Sequence, residues 1–318
     1  MNPLYLTEAD VVATLRMTDA LRLVREAALA LAEGKAENRP RQRAWTGKTV
    51  IQVLAAAYDG RLGHKTYTVS PARGARFWHT MFDESGEMLS IIEADALGQI
   101  RTGAASGVAT QVLARDDART LAVIGSGWQA RSQLEAVVTV RPIERVRVYA
   151  RNRERLEAFC AEMSARVHRP VEPAASGREA VEGADVVCTM TSARTPVLHG
   201  SWLEKGAHVN AAGSNRANAQ EIDVETVLRS SVVAVEDLAQ AKVESGDLRS
   251  ANETQDWNWQ QATLLSDVIA GHALGRTSDD QITLFESLGI GLWDLAVASH
   301  VYDACVAGGR GTRLPIPS

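Results

Sequence analysis

The stretch Thr120-Leu-Ala-Val-Ile-Gly125-Ser-Gly127-Trp128-Gln129-Ala130 decides the fold of this chain. An apolar run leads directly into the first glycine, a helical stretch begins at the second, and another apolar run follows at residues 146–150. Strand, glycine turn, helix and strand in that order predict a dinucleotide-binding βαβ unit. Gly125 permits the tight turn, Gly127 lets the backbone approach a pyrophosphate, and Ala130 keeps the helix close to the strand. We therefore expect a bound nicotinamide cofactor.

The residue after the second strand bears on which nicotinamide is bound. An acidic side chain there accepts from the ribose 2′-hydroxyl of NAD, whereas an arginine accommodates the 2′-phosphate of NADP. This chain has Arg151 at that place and Arg153 close behind it. Because guanidinium groups form charge-assisted contacts with phosphate, we expect NADP, with NAD as the alternative. In the other interpretation, Arg153 belongs to a solvated helix start.

The composition argues against several classes of protein. The chain has 318 residues, a formal net charge of −5 and 45% hydrophobic residues, which is ordinary for a two-domain α/β protein. Basic and acidic residues are interspersed, so we expect no nucleic-acid partner. No apolar run reaches the ~20 residues that cross a bilayer, and we expect no membrane association. Cys160, Cys188 and Cys305 lack metal-ligand spacing, which predicts reduced core thiols, no metal and a cytoplasmic location.

Hydrophobic periodicity changes near residue 114. Before that point, two helical stretches precede three runs of strand composition separated by turn sequences such as Asp59-Gly60. These runs, which we expect to form an antiparallel meander, lie at residues 50–55, 62–69 and 79–83. The first domain is therefore expected to be α+β.

Beyond residue 114, apolar strands alternate with helices as far as a last helix at residues 293–307. This alternation predicts a doubly wound parallel sheet of the Rossmann type, so the fold class is α/β. We assign residues 115–298 to this domain, and residues 1–114 with 299–318 to the antiparallel one. Ligands of such sheets bind outside the carboxyl ends of the strands. Polar or small residues follow several predicted strands: Thr191, Gly213, Ser214, Asn215 and Ser287.

Several separate motifs, taken together, resemble a known family. They are Pro40-Arg41-Gln42-Arg43, Gly63-His64-Lys65, Ile100-Arg101-Thr102-Gly103, the glycine turn, Asn210-Ala-Ala-Gly-Ser-Asn215 and Glu286-Ser-Leu-Gly-Ile-Gly-Leu-Trp-Asp294. Their order and spacing are similar to those of the ornithine cyclodeaminase/μ-crystallin family, over nearly the whole chain. The resemblance implies a homodimer in which the antiparallel domain forms the dimer interface and the substrate wall.

The resemblance also implies site residues. A substrate carboxylate would be held by Arg41, Lys65 and Arg101, with Arg43 replacing Arg41 if the strand register is slipped by two residues. Three cations around one site favour an anionic guest. Leu288 would border the substrate. The implied nicotinamide contacts are Thr80, Thr102, Trp128, Gln129, Thr191, Ala212, Gly213, Ser214, Asn215, Ser287 and Leu288.

Two departures from the family pattern distinguish among its activities. Cyclodeaminases and the family's alanine dehydrogenases carry an aspartate where this chain has Asn215, and an amide cannot exchange protons near neutral pH as a carboxylate can. Cyclodeaminases also place a glutamate at Gln52, where it meets the side-chain ammonium of ornithine. Glutamine cannot neutralise that cation. Both changes favour the ketimine reductase branch, in which Lys65 would act in catalysis and Asn215 would orient the imine nitrogen or a water.

Three hypotheses follow. The first is an NADPH-dependent oxidoreductase that reduces a small imino acid, such as a pyrroline- or piperideine-carboxylate, or runs the reverse reaction. The second is a cyclodeaminase of ornithine or another diamino acid, a lyase that recycles bound NAD and releases ammonia. The third is a non-catalytic ligand-binding protein. We interpret Asp294, on the last helix, as a cap or interdomain contact before a proton donor.

Overall fold

The protein is described by a computed structural model covering residues 2–315. Its strands are β1 (Leu4–Leu6), β2 (Ala36–Asn38), β3 (Gln42–Trp45), β4 (Val50–Tyr58), β5 (Arg61–Ser70), β6 (Gly74–Asp83), β7 (Met88–Glu93), β8 (Thr120–Ile124), β9 (Arg145–Tyr149), β10 (Val171–Pro173), β11 (Val186–Thr189), β12 (His208–Ala211), β13 (Ser230–Val235), β14 (Ala262–Leu264), β15 (Ile282–Glu286) and β16 (Thr312–Arg313). Its helices are α1 (Glu8–Thr14), α2 (Met17–Ala32), α3 (Asp95–Leu113), α4 (Trp128–Val140), α5 (Arg153–Val167), α6 (Gly177–Val181), α7 (Val224–Arg229), α8 (Leu238–Glu244), α9 (Gly246–Glu253), α10 (Leu265–Ala270) and α11 (Gly291–Ala307).

Backbone contacts divide the chain into two units, with boundaries that differ from the expected ones. The first unit runs up to Arg101 and resumes at Ile290, and the second comprises Thr102–Gly289. The first boundary falls inside α3 and not at its end, because Gly98 approaches the Lys65 side chain whereas Gly103 packs against Ser132 of α4. The second boundary precedes α11, because the whole of that helix packs on β4, β5 and α2.

The first unit is built on a mixed sheet with the strand order β16-β1-β7-β6-β5-β4-β2, in which β3 also pairs with β4. The expected antiparallel meander is present as β4, β5 and β6. Asp59 and Gly60, which join the first two of these strands, both have positive φ, as a two-residue hairpin turn requires. The parallel pairing of β1 with β7 was not predicted, since it joins segments far apart in the sequence and no turn signals it.

Side-chain alternation gives this sheet a buried face and an outer face. Gln52, Lys65, Tyr67 and His79 are buried and lie on one face, where cross-strand pairs join Gln52 to Tyr67 and Lys65 to His79. Helix α11 contacts β4, β5 and β6. The sheet therefore brings polar side chains from three strands into a buried layer.

The second unit confirms the predicted doubly wound sheet. Its strand order is β10-β9-β8-β11-β12-β15-β13-β14, and all pairings are parallel. The central strands are buried along their whole length because helices cover both faces, which explains their β-branched and apolar sequences. Between β8 and β11 the strand order reverses, and ligands of such sheets bind at this topological switch point.

Two further expectations concern the state of the cysteine thiols and the presence of membrane-spanning helices. Cys160, Cys188 and Cys305 are buried free thiols. Burial raises the pKa of Cys160 to about 11 and that of Cys188 to about 12, so both thiols stay protonated. Within residues 2–315, no helix combines the length and the apolar character needed to span a membrane.

Candidate functional site

The glycine turn in the second unit has the backbone geometry that its motif requires. Gly125 follows β8 directly and adopts φ 117°, a backbone conformation that residues other than glycine rarely adopt. A Cβ atom there would collide with the backbone oxygen of Met190, just after β11. The Gly125 N–H donates to the carbonyl of Tyr149, at the end of β9, at 2.8 Å. The turn thereby joins the ends of three strands.

The start of α4 offers an open, positively polarised surface. Gly127 is the N-cap of this helix, and no side chain of residues 2–315 caps the first-turn amides. A Cβ atom on Gly127 would meet no atom of these residues within 4 Å. The first-turn amides of a helix carry the positive end of the helix dipole and bind phosphate. Ala130 is fully buried against the strand, while Trp128 is 50% exposed beside Gln129. The residues present fit the pyrophosphate of a dinucleotide.

The predicted loop residues converge on the same edge of the parallel sheet. Thr191 follows β11, residues 212–215 follow β12, and Ser287 with Leu288 follows β15. The Thr191 and Gly213 N–H groups both donate to the buried carboxylate of Glu221. The buried carboxylate of Glu236 accepts from the Ser287 hydroxyl and from the Leu288 N–H. Sequence reasoning missed both glutamates, since nothing local to them signals a loop contact.

The two arginines after β9 differ in their surroundings. The Nε of Arg153 donates to Oε1 of Glu157 at 2.6 Å, in an exposed i,i+4 ion pair on α5. Arg151 is exposed on the turn between β9 and α5. Arg153 thus has the surroundings of a solvated helix start, and Arg151 is the better placed of the two for a 2′-phosphate.

In the first unit, two buried cations share one carboxylate oxygen. Lys65 Nζ lies 3.1 Å from Oδ1 of Asp294, and Arg101 Nε lies 2.8 Å from the same atom. The three side chains are 4%, 7% and 0% exposed in the order lysine, arginine, aspartate. Arg101 Nη1 is also buried and meets no hydrogen-bond acceptor within residues 2–315. Two cations on one carboxylate leave a net positive charge, so the group suits a further anion with oxygen acceptors.

Lys65 occupies a crowded and weakly solvated position. Its Nζ lies 5.1 Å from the centroid of the Phe77 ring and 5.8 Å from that of Tyr67. A Cβ atom on Gly98 would come within 2.9 Å of the ammonium. Burial, and then the positive charges of Arg101 and Arg41, lower the pKa of Lys65 to about 8 although Asp294 acts in the opposite direction. The lysine therefore gains and loses a proton just above neutral pH.

Gln52 lies beside this group, with its amide oxygen occupied. Oε1 of Gln52 accepts from the Tyr67 hydroxyl at 2.8 Å and from Arg43 Nε at 3.0 Å. Arg41 is 7% exposed and acts electrostatically on Lys65. Arg43 binds Gln52 instead, so the structure favours Arg41 over Arg43 as the third cation of the predicted set.

His79 adds a neutral group to the same face of the sheet. It pairs with Lys65 across the strands, is fully buried, and neither ring nitrogen has a hydrogen-bond partner within residues 2–315. Burial lowers its pKa to about 4, so the ring is neutral at physiological pH. Sequence reasoning did not select this histidine for the site.

Asp294 was misinterpreted from the sequence. It is not a cap, because α11 starts at Gly291 and its N-cap is Ile290. It is not an interdomain contact through its ion pairs either, because Lys65, Arg101 and Asp294 all belong to the first unit. Burial raises its pKa, but the charges of Arg101 and Lys65 outweigh this effect, so the pKa is lowered and the carboxylate stays ionised. Its partners are remote in sequence, so no local pattern could identify them.

Two further predicted cofactor contacts lie on β6 and α3. Thr80 of β6 pairs with His64 and Ile91, on the face of the sheet opposite to Lys65. Thr102 is the residue after Arg101 in α3, and its carbonyl accepts from Gln133 Nε2 at 3.2 Å. Thr80 and Thr102 stay predicted cofactor contacts.

Comparisons with known proteins agree with this arrangement. A Δ1-pyrroline-2-carboxylate reductase of Bacillus cereus is 39% identical over 236 residues, which cover 73% of this chain and 71% of that protein. The structure of the Thermococcus litoralis Δ1-pyrroline-2-carboxylate reductase in complex with NADH and L-proline superposes with a TM-score of 0.94 at 31% identity, covering 98% of this chain and all of that one. An archaeal alanine dehydrogenase dimer with bound NAD gives a TM-score of 0.94 at 30% identity, with both chains fully covered.

The similarity extends over almost the whole sequence. Residues 1–309 match the sequence profile of the ornithine cyclodeaminase/mu-crystallin family. This match confirms the resemblance drawn from the motifs. The chain belongs to the ornithine cyclodeaminase/mu-crystallin family.

Proposed function

We propose that this protein reduces a small cyclic imino acid, of the pyrroline- or piperideine-carboxylate class, to the corresponding amino acid, or catalyses the reverse reaction. That the chain is an NAD(P)-dependent oxidoreductase follows from its family and from its similarity to imine and amino acid oxidoreductases. The choice of substrate class and of NADPH as hydride donor is our inference. The observation that carries it is the group formed by Lys65, Arg101 and Asp294.

This group supports a substrate carboxylate. Arg101 presents a buried guanidinium nitrogen that has no acceptor among the described residues, and Lys65 adds a second positive charge. A carboxylate on these cations would complete the hydrogen bonding and neutralise the net charge. Arg41, whose charge acts on Lys65, would be the third contact. A bound carboxylate would fix the position of the adjacent C=N carbon.

The surroundings of Gln52 support an imino acid without a second ammonium. Its amide oxygen already accepts from Tyr67 and Arg43, so it has little capacity to accept from a substrate cation. The guanidinium of Arg43 would also repel such a cation. A diamino acid such as ornithine therefore lacks a partner for its side chain, which favours the reductase over the cyclodeaminase.

Proton chemistry in the proposed reaction is modest. A reduced nicotinamide, when bound at the glycine turn, would supply the hydride for the imine carbon. Lys65, with a pKa of about 8, holds a proton at Nζ under neutral conditions and can release it. Asn215 stays a predicted positioning residue for the imine nitrogen or a water. No carboxylate base at residue 215 is needed if the imine arrives protonated.

The preference for NADPH rests on Arg151. It is exposed after β9, at the edge that carries the glycine turn, whereas Arg153 is engaged with Glu157. A guanidinium there can pair with the 2′-phosphate, which NADH lacks.

We also propose a homodimer and a cytoplasmic location. Ile51, Leu62 and Trp78 lie on the outer face of the antiparallel sheet and are 41%, 45% and 38% exposed. Apolar side chains on a sheet face favour burial against a partner. A second copy of this chain is the proposed partner, and light scattering should then give twice the 34.3 kDa of one chain. The location is inferred from the three reduced cysteines.

The test is a spectrophotometric assay with purified protein, NADPH or NADH, and cyclic imino acids. NADPH consumption in proportion to imino acid, without ammonia release, is expected. Ornithine is incubated in parallel, and ammonia release with no net change at the nicotinamide band would overturn the proposal in favour of a cyclodeaminase. Binding of cofactor and imino acid with neither reaction would favour a ligand-binding protein.

A further inference from the structure

The buried carboxylate of Glu221 ties together two loops at the carboxyl edge of the parallel sheet. Its Oε1 accepts from the backbone N–H of Thr191 at 2.6 Å and from the Thr191 hydroxyl at 2.7 Å. Its Oε2 accepts from the backbone N–H of Gly213 at 2.6 Å and from the Thr189 hydroxyl at 3.2 Å. Glu221 is 1% exposed. One side chain thus accepts from three donors in the segments that follow β11 and β12, and from the hydroxyl of Thr189, the last residue of β11.

The two loops are packed tightly around this carboxylate. A Cβ atom on Gly213 would collide with Oε2 of Glu221 and would lie 2.5 Å from the backbone nitrogen of Thr191. Glycine at residue 213 is therefore required by the approach of the glutamate, because no larger residue leaves room for it. The spacing of the loops depends on the length and charge of this side chain.

The backbone of Glu221 is itself fixed by hydrogen bonds. Its N–H donates to Oδ1 of Asp247 at 2.8 Å, and the Ile222 N–H donates to the same oxygen at 3.0 Å. Its carbonyl accepts from Val197 and Leu198. Asp247 lies in the first turn of α9, so the glutamate backbone is anchored to a helix. The side chain then has little freedom to follow a shifted loop.

Four donors call for a carboxylate and not an amide. An ionised carboxylate accepts at both oxygens, whereas a glutamine presents an NH2 group to half of these partners. Burial raises the pKa of Glu221, and the hydrogen bonds from Thr191 and Gly213 oppose this effect. A threonine hydroxyl can rotate to accept from this NH2 group, but a backbone N–H cannot, so the NH2 group would face the N–H of Thr191 or of Gly213 and a loop must move.

We propose that Glu221 is a positioning residue for the nicotinamide cofactor, setting the loops of Thr191 and Gly213 at the spacing that the bound cofactor needs. The proposal rests on the proposed function in so far as these loops contact the cofactor. Glu236 repeats the arrangement at the third predicted loop, where its carboxylate accepts from Ser287, Leu288 and Gly289 at 2.7–3.0 Å.

The test compares Glu221→Gln with the wild type and with Asp223→Asn. Asp223 is also a carboxylate with several donors, from Gly200, Thr226 and His199, but it caps α7 and binds no predicted cofactor loop. In titrations with NADPH alone, we expect the Kd of Glu221→Gln to rise roughly tenfold or more, and that of Asp223→Asn to stay near the wild-type value. The KM for the cofactor should rise in Glu221→Gln while the KM for the imino acid changes little.

A second variant covers the case in which Glu221→Gln does not fold. Thr189→Val removes one hydroxyl donor at nearly constant volume, and it should raise the cofactor Kd in the same direction by roughly threefold. Unchanged cofactor Kd in a folded Glu221→Gln protein, or in Thr189→Val if only that variant folds, would overturn the inference.

Failure of the proposed function can be distinguished from failure of the inference about Glu221. If the wild type binds neither NADPH nor NADH, the proposed function is wrong, and amide hydrogen exchange then decides the structural part without any cofactor. Faster exchange at Thr191 and Gly213 in Glu221→Gln would support the role in loop spacing. Exchange equal to that of the wild type would contradict it.

Discussion

The two units differ in the charge balance of their buried polar side chains. In the first, cations lie in a buried layer with too little negative charge to balance them, as Lys65 and Arg101 on Asp294 illustrate. In the second, anionic side chains such as Glu221 are themselves satisfied, and what they hold is backbone. We therefore propose that charge binds the substrate in the first unit and that the spacing of backbone loops binds the cofactor in the second. Changes in the first unit should therefore alter substrate binding, and changes in the second should alter cofactor binding.

The largest effect is expected from removing the central cation of the first unit. Arg101→Met deletes the guanidinium that binds Asp294 and that has a buried nitrogen available to a carboxylate. We expect kcat/KM for the imino acid to fall roughly a hundredfold to a thousandfold, because a buried charge pair loses one partner. The cofactor Kd should stay within about twofold in the same variant. Arg101→Lys serves as the control for charge without the planar fork, and a small loss in both variants would show that the substrate lies elsewhere.

The glycine turn offers a matched pair in the second unit. Gly125→Ala introduces a Cβ at φ 117° and against the Met190 carbonyl, so the free energy of unfolding should fall by roughly 1–3 kcal/mol. The new Cβ in Gly127→Ala meets no atom of the described residues within 4 Å, and the unfolding free energy should stay within about 0.5 kcal/mol of the wild type.

Both glycine variants should bind the cofactor roughly tenfold to thirtyfold more weakly: in Gly127→Ala a methyl group would keep the pyrophosphate from the backbone, and in Gly125→Ala the turn itself would be displaced. Chemical denaturation and cofactor titration measure the two effects separately. Cofactor affinity unchanged in Gly127→Ala would argue against pyrophosphate binding at the start of α4.

The pH dependence of the first unit follows from Lys65. Its pKa is lowered to about 8, so the ammonium is present below that pH and is lost as the pH rises through it. Since kcat/KM reports the ionisation of the free enzyme, we expect kcat/KM for the imino acid to fall about tenfold per pH unit above this value. A profile that stays flat to pH 9.5 would contradict the role of Lys65.

Two variants sharpen this profile. Lys65→Arg should remove the alkaline limb, because arginine keeps its charge throughout this range. Asp294→Asn should move the limb to lower pH, because the charge of Asp294 raises the pKa of Lys65. If the alkaline limb has the same pKa in both variants as in the wild type, an ionisation of the substrate causes it and not that of Lys65.

The smallest effect is expected at the proposed site of the cofactor's 2′-phosphate. Arg151→Ala should raise the Kd of NADPH about fivefold and leave that of NADH unchanged, since an exposed charge contact with phosphate contributes little. Arg153→Ala is the matched control, because this side chain is engaged with Glu157. An equal rise in Kd for NADPH and NADH in these variants would show that neither arginine binds the 2′-phosphate.

How far the sequence could predict the two units reflects the same contrast. The βαβ unit was predictable because its signal is local: Gly125, Gly127 and Ala130 lie within six residues and each has a backbone reason. The cation group has no local signal, since Asp294 is remote in sequence from both Lys65 and Arg101. Arg41, Lys65 and Arg101 were therefore found through resemblance to a family, and Asp294 was misinterpreted. Glu221 escaped notice for the same reason, because its partners follow other strands.

The most direct test of the account is the binding of pyrrole-2-carboxylate, a planar and unreactive analogue of pyrroline-2-carboxylate, measured by isothermal titration calorimetry at saturating cofactor. We expect one site per chain in the wild type and a loss of measurable binding in Arg101→Met, with the same cofactor affinity in both proteins. Binding of the analogue to Arg101→Met with wild-type affinity would contradict the claim that the buried cations of the first unit hold the substrate carboxylate.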